Sequence, residues 1–251
     1  MNLDIVIPVY NEGENIKSVL ESFRREVKVP YRVLICYDFE EDTTLAALEP
    51  LPMEEYHYEL VKNDGRGVMS AIRAGLRQTT APYVLTFPAD DDYNAPKINA
   101  MYGKAVAGFD IVCGSRFMRG GCMTGCPWLK AILVRTASFF MYYIARVPSH
   151  DSTNGLRLFS RRVIEQIPIE SQVGFAYSIE LLVKCQRLGW RIGEVPFSWH
   201  ERKAGKSRFQ TLRWVPAYLH WVKYAMETKW LGKGPAAAAA ESESVRTTSL
   251  K

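Results

Sequence analysis

The sequence predicts an α/β fold in which helices flank a doubly wound, mostly parallel sheet. Three observations support this prediction. Short apolar runs alternate with amphipathic stretches through the first 113 residues, a rhythm typical of parallel βαβ units. Several of these runs end in polar or acidic residues, as strands do at the ligand-binding edge of such a sheet. The chain has 251 residues, 47% of them apolar, which is enough for one hydrophobic core.

The first half of the chain contains five predicted strands separated by four predicted helices. The strands are Leu3–Val9, Tyr31–Tyr37, Tyr56–Val61, Tyr83–Phe87 and Asp110–Cys113. The helices are Glu14–Val27, Thr43–Leu48, Val68–Gln78 and Lys97–Ala107. The helix Glu14–Val27 is the most clearly amphipathic, because its apolar side chains recur at helical spacing on one face. Helical crossovers between successive strands favour parallel pairing.

The second half is less regular. A glycine-rich stretch, Arg119–Gly125, interrupts the alternation and is predicted to be a mobile loop. The elements predicted after it are the helix Trp128–Val147, the strand Leu156–Phe159, the helix Ala176–Leu188, the strand Arg191–Phe197, the basic loop Arg202–Phe209 and the amphipathic helix Thr211–Trp230, with a kink at Pro216. We therefore expect one domain over residues 1–233 and a disordered tail over 234–251, which is rich in Ala, Ser, Glu and Thr.

Cysteine usage and hydropathy indicate the cellular compartment and the relation to a membrane that we expect for the protein. The five cysteines do not form the two Cys or His pairs of a zinc site, so buried or incidental thiols in a reducing cytosol are expected. The amino terminus lacks the basic segment of a secretory leader. No stretch reaches the roughly 18 apolar residues of a membrane span, so the expectation is a cytoplasmic protein that touches a membrane without crossing it.

Positive charge is concentrated near the carboxyl terminus. The formal net charge is +5, and the segment from His200 to Lys233 contains eight Lys and Arg against two acidic residues. Such a surface suits phosphates or anionic lipid, although a solvated basic face has the same composition. Nucleic acid is not an expected partner, because no helix-turn-helix, zinc finger or RNA-binding aromatic motif is present.

The acidic run Asp90–Asp92 is the strongest site signal. It directly follows the apolar strand Tyr83–Phe87, at the predicted ligand-binding edge of the sheet. Adjacent carboxylates repel one another unless a cation neutralises them, and hard divalent cations prefer carboxylate oxygens. The run therefore predicts a divalent metal site, with an exposed acidic turn as the alternative.

Three further polar residues are candidate site residues. Two of them follow predicted strands, and the third lies in a turn that leads into a predicted helix. Asp38 ends the second strand and suits a nucleobase or ribose contact, or a helix cap, although Asp42 fits the cap better. Arg66 lies in a Gly-flanked turn, where it could meet a base or phosphate or could be solvated. Arg116 follows the strand Asp110–Cys113, and its guanidinium suits phosphate.

Several motifs together resemble inverting GT-A glycosyltransferases of the group containing dolichyl-phosphate mannose synthase and polyprenyl-phosphate glycosyltransferases. The resemblance covers about residues 2–209. Its motifs are IPVYNE (7–12), GSRFMRGG (114–121), DSTNGLRLF (151–159), GFAYSIELL (174–182), IGEVPF (192–197) and RxxGxSR (202–208). The first motif and the acidic run are typical of sugar-nucleotide enzymes in general, whereas the later motifs are typical of enzymes that use lipid-phosphate acceptors.

The resemblance implies a nucleotide-sugar-binding half (1–113) and an acceptor- or lipid-facing half (114–233). It implies that Pro8, Tyr10, Glu12, Asp38, Arg66, Ala89 and Asp90 contact the donor, either GDP-mannose or a UDP-hexose. Mg²⁺ or Mn²⁺ would be held by Asp90, Asp91 and Asp92, and catalysis would involve Asp92, Arg116, Arg202 and Arg208. The implied reaction transfers mannose or glucose to a dolichyl or polyprenyl phosphate, with inversion, at the cytoplasmic membrane face.

The nature of the acceptor decides whether a general base is needed. A lipid monophosphate is already anionic, so positioning and charge neutralisation suffice. A sugar hydroxyl acceptor would need a base, for which Glu180 is the candidate, with a buried structural acid as the alternative. Two other hypotheses stay open: a soluble glycosyltransferase that extends a glycan, and a non-catalytic subunit that only binds nucleotide sugar.

Overall fold

A computed structural model describes residues 1–200 and 211–234, with residues 211–214 described by their backbone alone. The predicted basic loop Arg202–Phe209 and almost all of the predicted tail lie outside these residues, so those two expectations stay predictions.

Seven strands form one central sheet, and two short strands form a second. The central strands are β1 (Leu3–Pro8), β2 (Tyr31–Tyr37), β3 (Tyr58–Lys62), β4 (Tyr83–Thr86), β5 (Ile111–Ser115), β7 (Arg157–Ser160) and β8 (Ile192–Pro196). Their order across the sheet is β3-β2-β1-β4-β7-β5-β8. The second sheet pairs β6 (Cys122–Thr124) with β9 (Ser198–His200) in parallel.

Nine α-helices lie within the described residues. They are α1 (Asn15–Glu26), α2 (Thr43–Leu48), α3 (Met53–Tyr56), α4 (Val68–Gln78), α5 (Lys97–Val106), α6 (Trp128–Phe139), α7 (Arg161–Gln166), α8 (Ala176–Arg187) and α9 (Thr211–Trp230). Every predicted helix and strand of the first half is present, with ends that differ by a few residues. The short elements α3, α7, β6 and β9 were not predicted, because segments of three to six residues carry too little periodicity.

The sheet is parallel except at β7. Strand β7 runs antiparallel to both β4 and β5, whereas β5 is parallel to β8 and β1 is parallel to β2 and β4. This confirms the mostly parallel α/β prediction. Inserting one reversed strand leaves the carboxyl ends of β1, β2, β4 and β5 at the same edge, where ligands bind in open α/β sheets.

Apolar side chains fill both faces of the sheet. Residues of α1, α2 and α5 pack on one face, whereas residues of α4, α8 and α9 pack on the other. Strand β1 is apolar along nearly its whole length because it lies in the interior of the sheet with helices on both sides. Only Asp4 departs from this pattern.

Helix α6 is the main exception to burial. The predicted helix Trp128–Val147 divides into α6 and a π-helical turn, Phe140–Ile144. Most of the large apolar side chains of α6 are exposed, and Trp128 reaches 75% exposure. Pro216 lies inside α9 as predicted. Within the described part of the chain, none of the helices is both long and apolar enough to span a bilayer.

Candidate active site

The loop after β1 is anchored to the start of α2. Asn11, in a left-handed conformation with φ 52°, donates its N–H to both carboxylate oxygens of Asp42 at 3.0 Å. Asp42 also accepts from the N–H of Thr44 at 2.8 Å, which confirms the predicted helix cap. Since Glu12 donates its N–H to the Thr44 hydroxyl at 3.0 Å, the loop is held at two successive residues.

Predicted donor-contacting residues lie on this loop. Pro8 ends β1 and is half-buried, whereas Tyr10 is exposed. The Tyr10 ring packs edge-on against Phe39 with ring centroids 5.5 Å apart. Phe39 was not predicted from the sequence, since a single aromatic residue in a polar loop carries no signal of its own. Together the two rings offer an aromatic surface beside the ends of β1 and β2.

Asp38 supports a neighbouring turn. One carboxylate oxygen accepts from the side-chain amide of Asn63 and the other from the N–H of Gly67, each at 2.7 Å. These bonds tie the end of β2 to the start of α4 and fix the turn that carries the exposed Arg66. From the sequence, Asp38 was considered either for a nucleobase or ribose contact or as a helix cap, and these two bonds are neither. Each carboxylate oxygen can still accept a further hydrogen bond, so a nucleoside contact stays a prediction.

The acidic run turns sharply after β4. Asp91 is buried and accepts from the N–H groups of Tyr93 and Asn94 and from the Asn94 side-chain amide. Burial raises the pKa of Asp91 to about 6, although the hydrogen bonds from Asn94 act in the opposite direction. Asp90 and Asp92, on either side, are half-buried, while the adjoining Ala89 is buried.

This arrangement fits a divalent cation that uses few protein ligands. Among the described residues, no group of three His, Cys, Asp or Glu side chains converges as a metal site. Mg²⁺ is commonly held by one or two carboxylates together with substrate phosphates and water. The three carboxylates predicted as ligands, Asp90, Asp91 and Asp92, all lie on this turn. Asp91 is also engaged by three N–H donors within the turn, which fixes its shape.

Asn94 connects the acidic turn to the second sheet. Its side-chain amide donates to the carbonyl oxygen of Ser198 at 2.7 Å, and its side-chain oxygen accepts from the Ser198 N–H at 3.0 Å. Asn94 is almost fully buried, so both bonds are shielded from water. The acidic turn is therefore fixed to β9, which precedes the segment containing Arg202 and Arg208 in the sequence.

Arg116 is held by a buried ion pair. Its guanidinium donates to both carboxylate oxygens of Asp151, from Nε at 2.6 Å and Nη2 at 2.8 Å, and Nη2 also donates to the Thr153 hydroxyl. The Arg116 backbone N–H donates to the same carboxylate at 3.0 Å. Thus most donors of Arg116 are engaged within the protein. Nη1 makes only a weak contact, with the Met123 sulfur at 4.0 Å.

Asp151 is fully buried between two arginines. Burial opposes its ionisation, but the charge and hydrogen bonds of Arg116, with a further contribution from Arg157, hold the pKa of Asp151 below its ordinary value. Arg157 is itself 0% exposed and donates to the carbonyl oxygens of Ser152 and Asn154. The motif at residues 151–159 is therefore a scaffold that fixes Arg116.

Glu180 requires a correction. Its carboxylate is fully buried and accepts from the N–H groups of Glu170 and Ser171, at 2.6 and 2.9 Å. Lys184, one helical turn away, pairs with it at 2.6 Å. A general base must reach the proton that it removes. These contacts instead give Glu180 the structural role that the sequence left as its alternative.

Arg202 and Arg208 lie outside the described residues, so their predicted roles stay predictions. Apart from Arg66, which follows β3, and Glu180, which lies on α8, the remaining predicted site residues follow the carboxyl ends of β1, β2, β4 and β5. A largely parallel sheet with an acidic turn and a fixed arginine at one edge is the arrangement expected of a GT-A-fold glycosyltransferase. The chain belongs to glycosyl transferase family 2, whose model matches residues 4–168.

Curated relatives and solved structures agree with this assignment. The chain is 26% identical to polyprenol monophosphomannose synthase of Mycolicibacterium smegmatis over 212 residues, covering 81% of this chain and 79% of that protein. It is 28% identical to dolichyl-phosphate hexose transferase of Haloferax volcanii over 211 residues, covering 82% and 86%. Dolichol-phosphate mannosyltransferase of Pyrococcus furiosus is 22% identical over 232 residues, covering 88% of this chain and 64% of that protein.

Solved structures of glucosyl-3-phosphoglycerate synthase from Mycobacterium tuberculosis share the fold. Its complex with UDP superposes with a TM-score of 0.66 at 18% identity, covering 88% of this chain and 80% of that one. Its complex with Mn²⁺, UDP-glucose and phosphoglyceric acid gives a TM-score of 0.64 at 17% identity, covering 90% and 79%. These superpositions confirm the GT-A fold, whereas the family match and the curated relatives confirm the predicted glycosyltransferase class.

Proposed function

We propose that this glycosyltransferase transfers mannose or glucose from GDP-mannose or a UDP-hexose to a polyprenyl or dolichyl monophosphate at the membrane surface, with inversion at the anomeric carbon. The observation that carries the proposal is the position of Arg116. It lies at the same sheet edge as the acidic turn, while the next residue, Phe117, contacts a side chain of the exposed helix α6. The names of the curated relatives support the same acceptor class.

The donor diphosphate is proposed to lie between the acidic turn and Arg116. A bound Mg²⁺ or Mn²⁺ would neutralise negative charge on the departing nucleoside diphosphate. Arg116 offers Nη1 to the same phosphates, and Asp151 keeps that group oriented before the donor binds. Because the orientation is already fixed in the fold, little reorganisation is required when charge develops on the leaving group.

Transfer of the sugar requires one bond to form and one to break. An oxygen of the acceptor phosphate attacks the anomeric carbon while the bond from that carbon to the donor's diphosphate oxygen breaks, and the electron pair leaves with the nucleoside diphosphate. An in-line displacement of this kind inverts the anomeric carbon. Since the attacking oxygen is anionic, the burial of Glu180 does not obstruct the reaction.

The proposed membrane face is α6 and the π-helical turn that follows it. Exposed apolar side chains on this segment include Trp128, Leu129, Ile132, Leu133 and Phe139. Lys130 and Arg135 lie among them, and aromatic residues with basic ones are typical of helices that bind anionic bilayer surfaces. An acceptor with a long apolar tail would approach from such a surface. The cytoplasmic, peripheral location expected from the sequence belongs to this proposal.

The test combines donors, acceptors and metals. GDP-mannose, UDP-glucose and UDP-mannose are each incubated with one of two acceptors, a polyprenyl phosphate or a sugar with free hydroxyl groups. Each mixture contains Mg²⁺, Mn²⁺ or a chelator. We expect transfer of one of these hexoses to the lipid phosphate, dependent on metal, and an anomer inverted relative to the donor by NMR. Transfer to sugar hydroxyls alone would refute the acceptor assignment, and donor binding without any transfer would favour a non-catalytic subunit.

A matched pair of variants tests the acidic turn. The double substitution Asp90→Asn, Asp92→Asn is expected to abolish turnover and metal-dependent nucleotide binding while leaving the circular dichroism spectrum unchanged. Asp64→Asn makes the same chemical change on an exposed aspartate and is expected to be fully active. Full activity of the double variant in chelator would contradict the metal assignment.

A further inference from the structure

A groove lies beside Arg116, between α6 and the segment that precedes β7. Its volume is about 380 Å³, and four aromatic rings with Arg135, Thr136, Ser138 and His150 line it. The Phe117 ring joins the groove to the sheet edge, because the Arg135 guanidinium lies 5.0 Å and the Arg116 guanidinium 5.1 Å from its centroid. Phe117 therefore lies beside both the groove and the proposed phosphate site.

His150 is fixed in this groove from two sides. Its Nδ1–H donates to a carboxylate oxygen of Glu194 at 2.7 Å. Its ring stacks on Tyr142 with centroids 4.0 Å apart and planes inclined by 23°. The other oxygen of Glu194 accepts from the His150 backbone N–H at 2.7 Å and from the Ser149 hydroxyl at 2.9 Å. The imidazole therefore has little freedom to rotate.

Glu194 determines which nitrogen of the imidazole is available. A carboxylate that accepts from Nδ1 fixes the tautomer and ring orientation, as in other paired histidines. Nε2, across the ring, has no partner among the described residues, and the His150 side chain is 38% exposed. Among the described residues, the charged and titratable groups that contact the ring or line the groove with it are Glu194 from β8, Tyr142 and Tyr143 from the π-helical turn, and Arg135 from α6.

The available Nε2 matches a phosphate monoester. In the neutral imidazole Nε2 accepts a hydrogen bond, and in the protonated imidazole it donates one. A phosphate monoester changes between its mono- and dianion near neutral pH, so it offers either a P–OH donor or an anionic acceptor. A phosphate also has further oxygens and a negative charge that could pair with Arg135, which lines the same groove, whereas an alcohol has one neutral oxygen.

We propose that His150 is a specificity-determining residue that contacts the acceptor's phosphate through Nε2, and that Glu194 is its positioning residue. The inference rests on the proposed function, because it places the phosphate of a polyprenyl phosphate in the groove. The aromatic rings that line the same groove would contact the first apolar units of the tail. A phosphate held there lies next to Arg116, where transfer of the sugar is proposed to take place.

The test uses the full chain with GDP-mannose or the UDP-hexose found active, and a polyprenyl phosphate in micelles. His150→Gln keeps a polar side chain but loses the ring, and His57→Gln makes the same change at an exposed histidine near the opposite end of the strands. The readouts are KM for acceptor, kcat, Kd for nucleotide sugar, and tryptophan-fluorescence titration with polyprenyl phosphate and with polyprenol.

Loss of one charge-assisted hydrogen bond is expected to raise the KM for the acceptor roughly tenfold or more in His150→Gln, with an unchanged Kd for the donor. Wild-type protein should bind polyprenyl phosphate more tightly than polyprenol, and His150→Gln should lose most of this preference. His57→Gln should behave as wild type. An unchanged acceptor KM and an unchanged preference in His150→Gln would overturn the assignment.

The positioning role of Glu194 is tested by a double-mutant cycle. Glu194→Gln should weaken acceptor binding in the wild-type background and have little further effect in the His150→Gln background, because both substitutions act on one contact. Additive effects would remove Glu194 from the proposal. If wild type binds neither lipid, the proposed function itself fails, an outcome that the comparison of variants keeps distinct from a failure of His150 alone.

Discussion

The pair formed by Asp151 and Arg116 gives the clearest quantitative prediction. Asp151→Asn keeps the size and shape of the side chain but removes the charge that two buried arginines face. Arg116 donates two side-chain bonds and one backbone bond to this carboxylate, and the charge of Arg157 also acts on it. The amide NH₂ of asparagine would in addition present donors to a guanidinium that has no acceptor to offer.

The magnitude follows from the burial of the pair. Asp151 is 0% exposed and the Arg116 side chain is 9% exposed, so water cannot replace the missing charge. Removing one partner of a buried ion pair costs about 3–5 kcal/mol, because the other charge stays buried and unpaired. With a urea dependence of about 2 kcal/mol per M, the unfolding midpoint should fall by about 2 M.

The assay is urea unfolding followed by tryptophan fluorescence and far-UV circular dichroism. Asp64→Asn is the matched control, because Asp64 is highly exposed and its pairing with Arg77 is expected to contribute nothing measurable. An unchanged midpoint in Asp151→Asn would refute the conclusion that this carboxylate holds the two arginines in place.

The same pair predicts an acid dependence of stability. The pKa of Asp151 is lower in the folded chain than its ordinary value of about 4. Its stabilising contribution is therefore complete above that ordinary value and is lost as the pH falls through the lower folded value. We expect the difference in unfolding free energy between wild type and Asp151→Asn to shrink below pH of about 4. If this difference in unfolding free energy stayed constant down to a pH of about 2, the result would contradict the linkage between protonation and stability.

Three further outcomes are expected. Asn94→Ala should weaken Mn²⁺-dependent nucleotide binding, measured by calorimetry, because it frees the acidic turn from Ser198; unchanged binding would show that the bridge is incidental. Gly114 and Ser115 end β5 and residues 122–124 form β6, so the mobility predicted for Gly114–Gly125 is confined to the turn between these strands; protease cleavage there should slow when nucleotide and metal are added, and an equal rate would count against an ordering loop. Replacing Trp128 and Leu133 with Ser should abolish flotation with anionic liposomes while leaving the unfolding midpoint unchanged, since both side chains are exposed; persistent flotation would place the membrane contact elsewhere.

Much of the fold was determined by local sequence signals. With the exception of the four-residue helix α3, the strands and helices up to residue 115 were predictable because each carries a clear period and ends at a turn or cap. The run Asp90–Asp92 could be recognised as a candidate site because three adjacent carboxylates after a buried strand repel one another unless a cation neutralises them. The helix cap at Asp42 follows from its residue type and its place before α2.

The roles of individual carboxylates were decided by tertiary contacts. Asp38, Asp91, Asp151 and Glu180 look alike in the sequence as acids near strand ends or in motifs. In the fold, Asp38 supports a turn, Asp91 accepts from its own turn, Asp151 holds Arg116, and Glu180 anchors a loop with Lys184. The partners of Asp38, Asp151 and Glu180 include residues ten to 35 positions away, so no local pattern reports them.

The sequence by itself determined the α/β class, the sheet edge at which the candidate site residues follow the strands, and the chemical character of α6. It could not determine that β7 is inserted antiparallel between β4 and β5, or that His150 and Glu194 meet beside Phe117. Secondary structure and the charge of a segment depend on neighbours within a few residues, whereas strand order and side-chain pairing depend on how the whole chain buries its apolar surface.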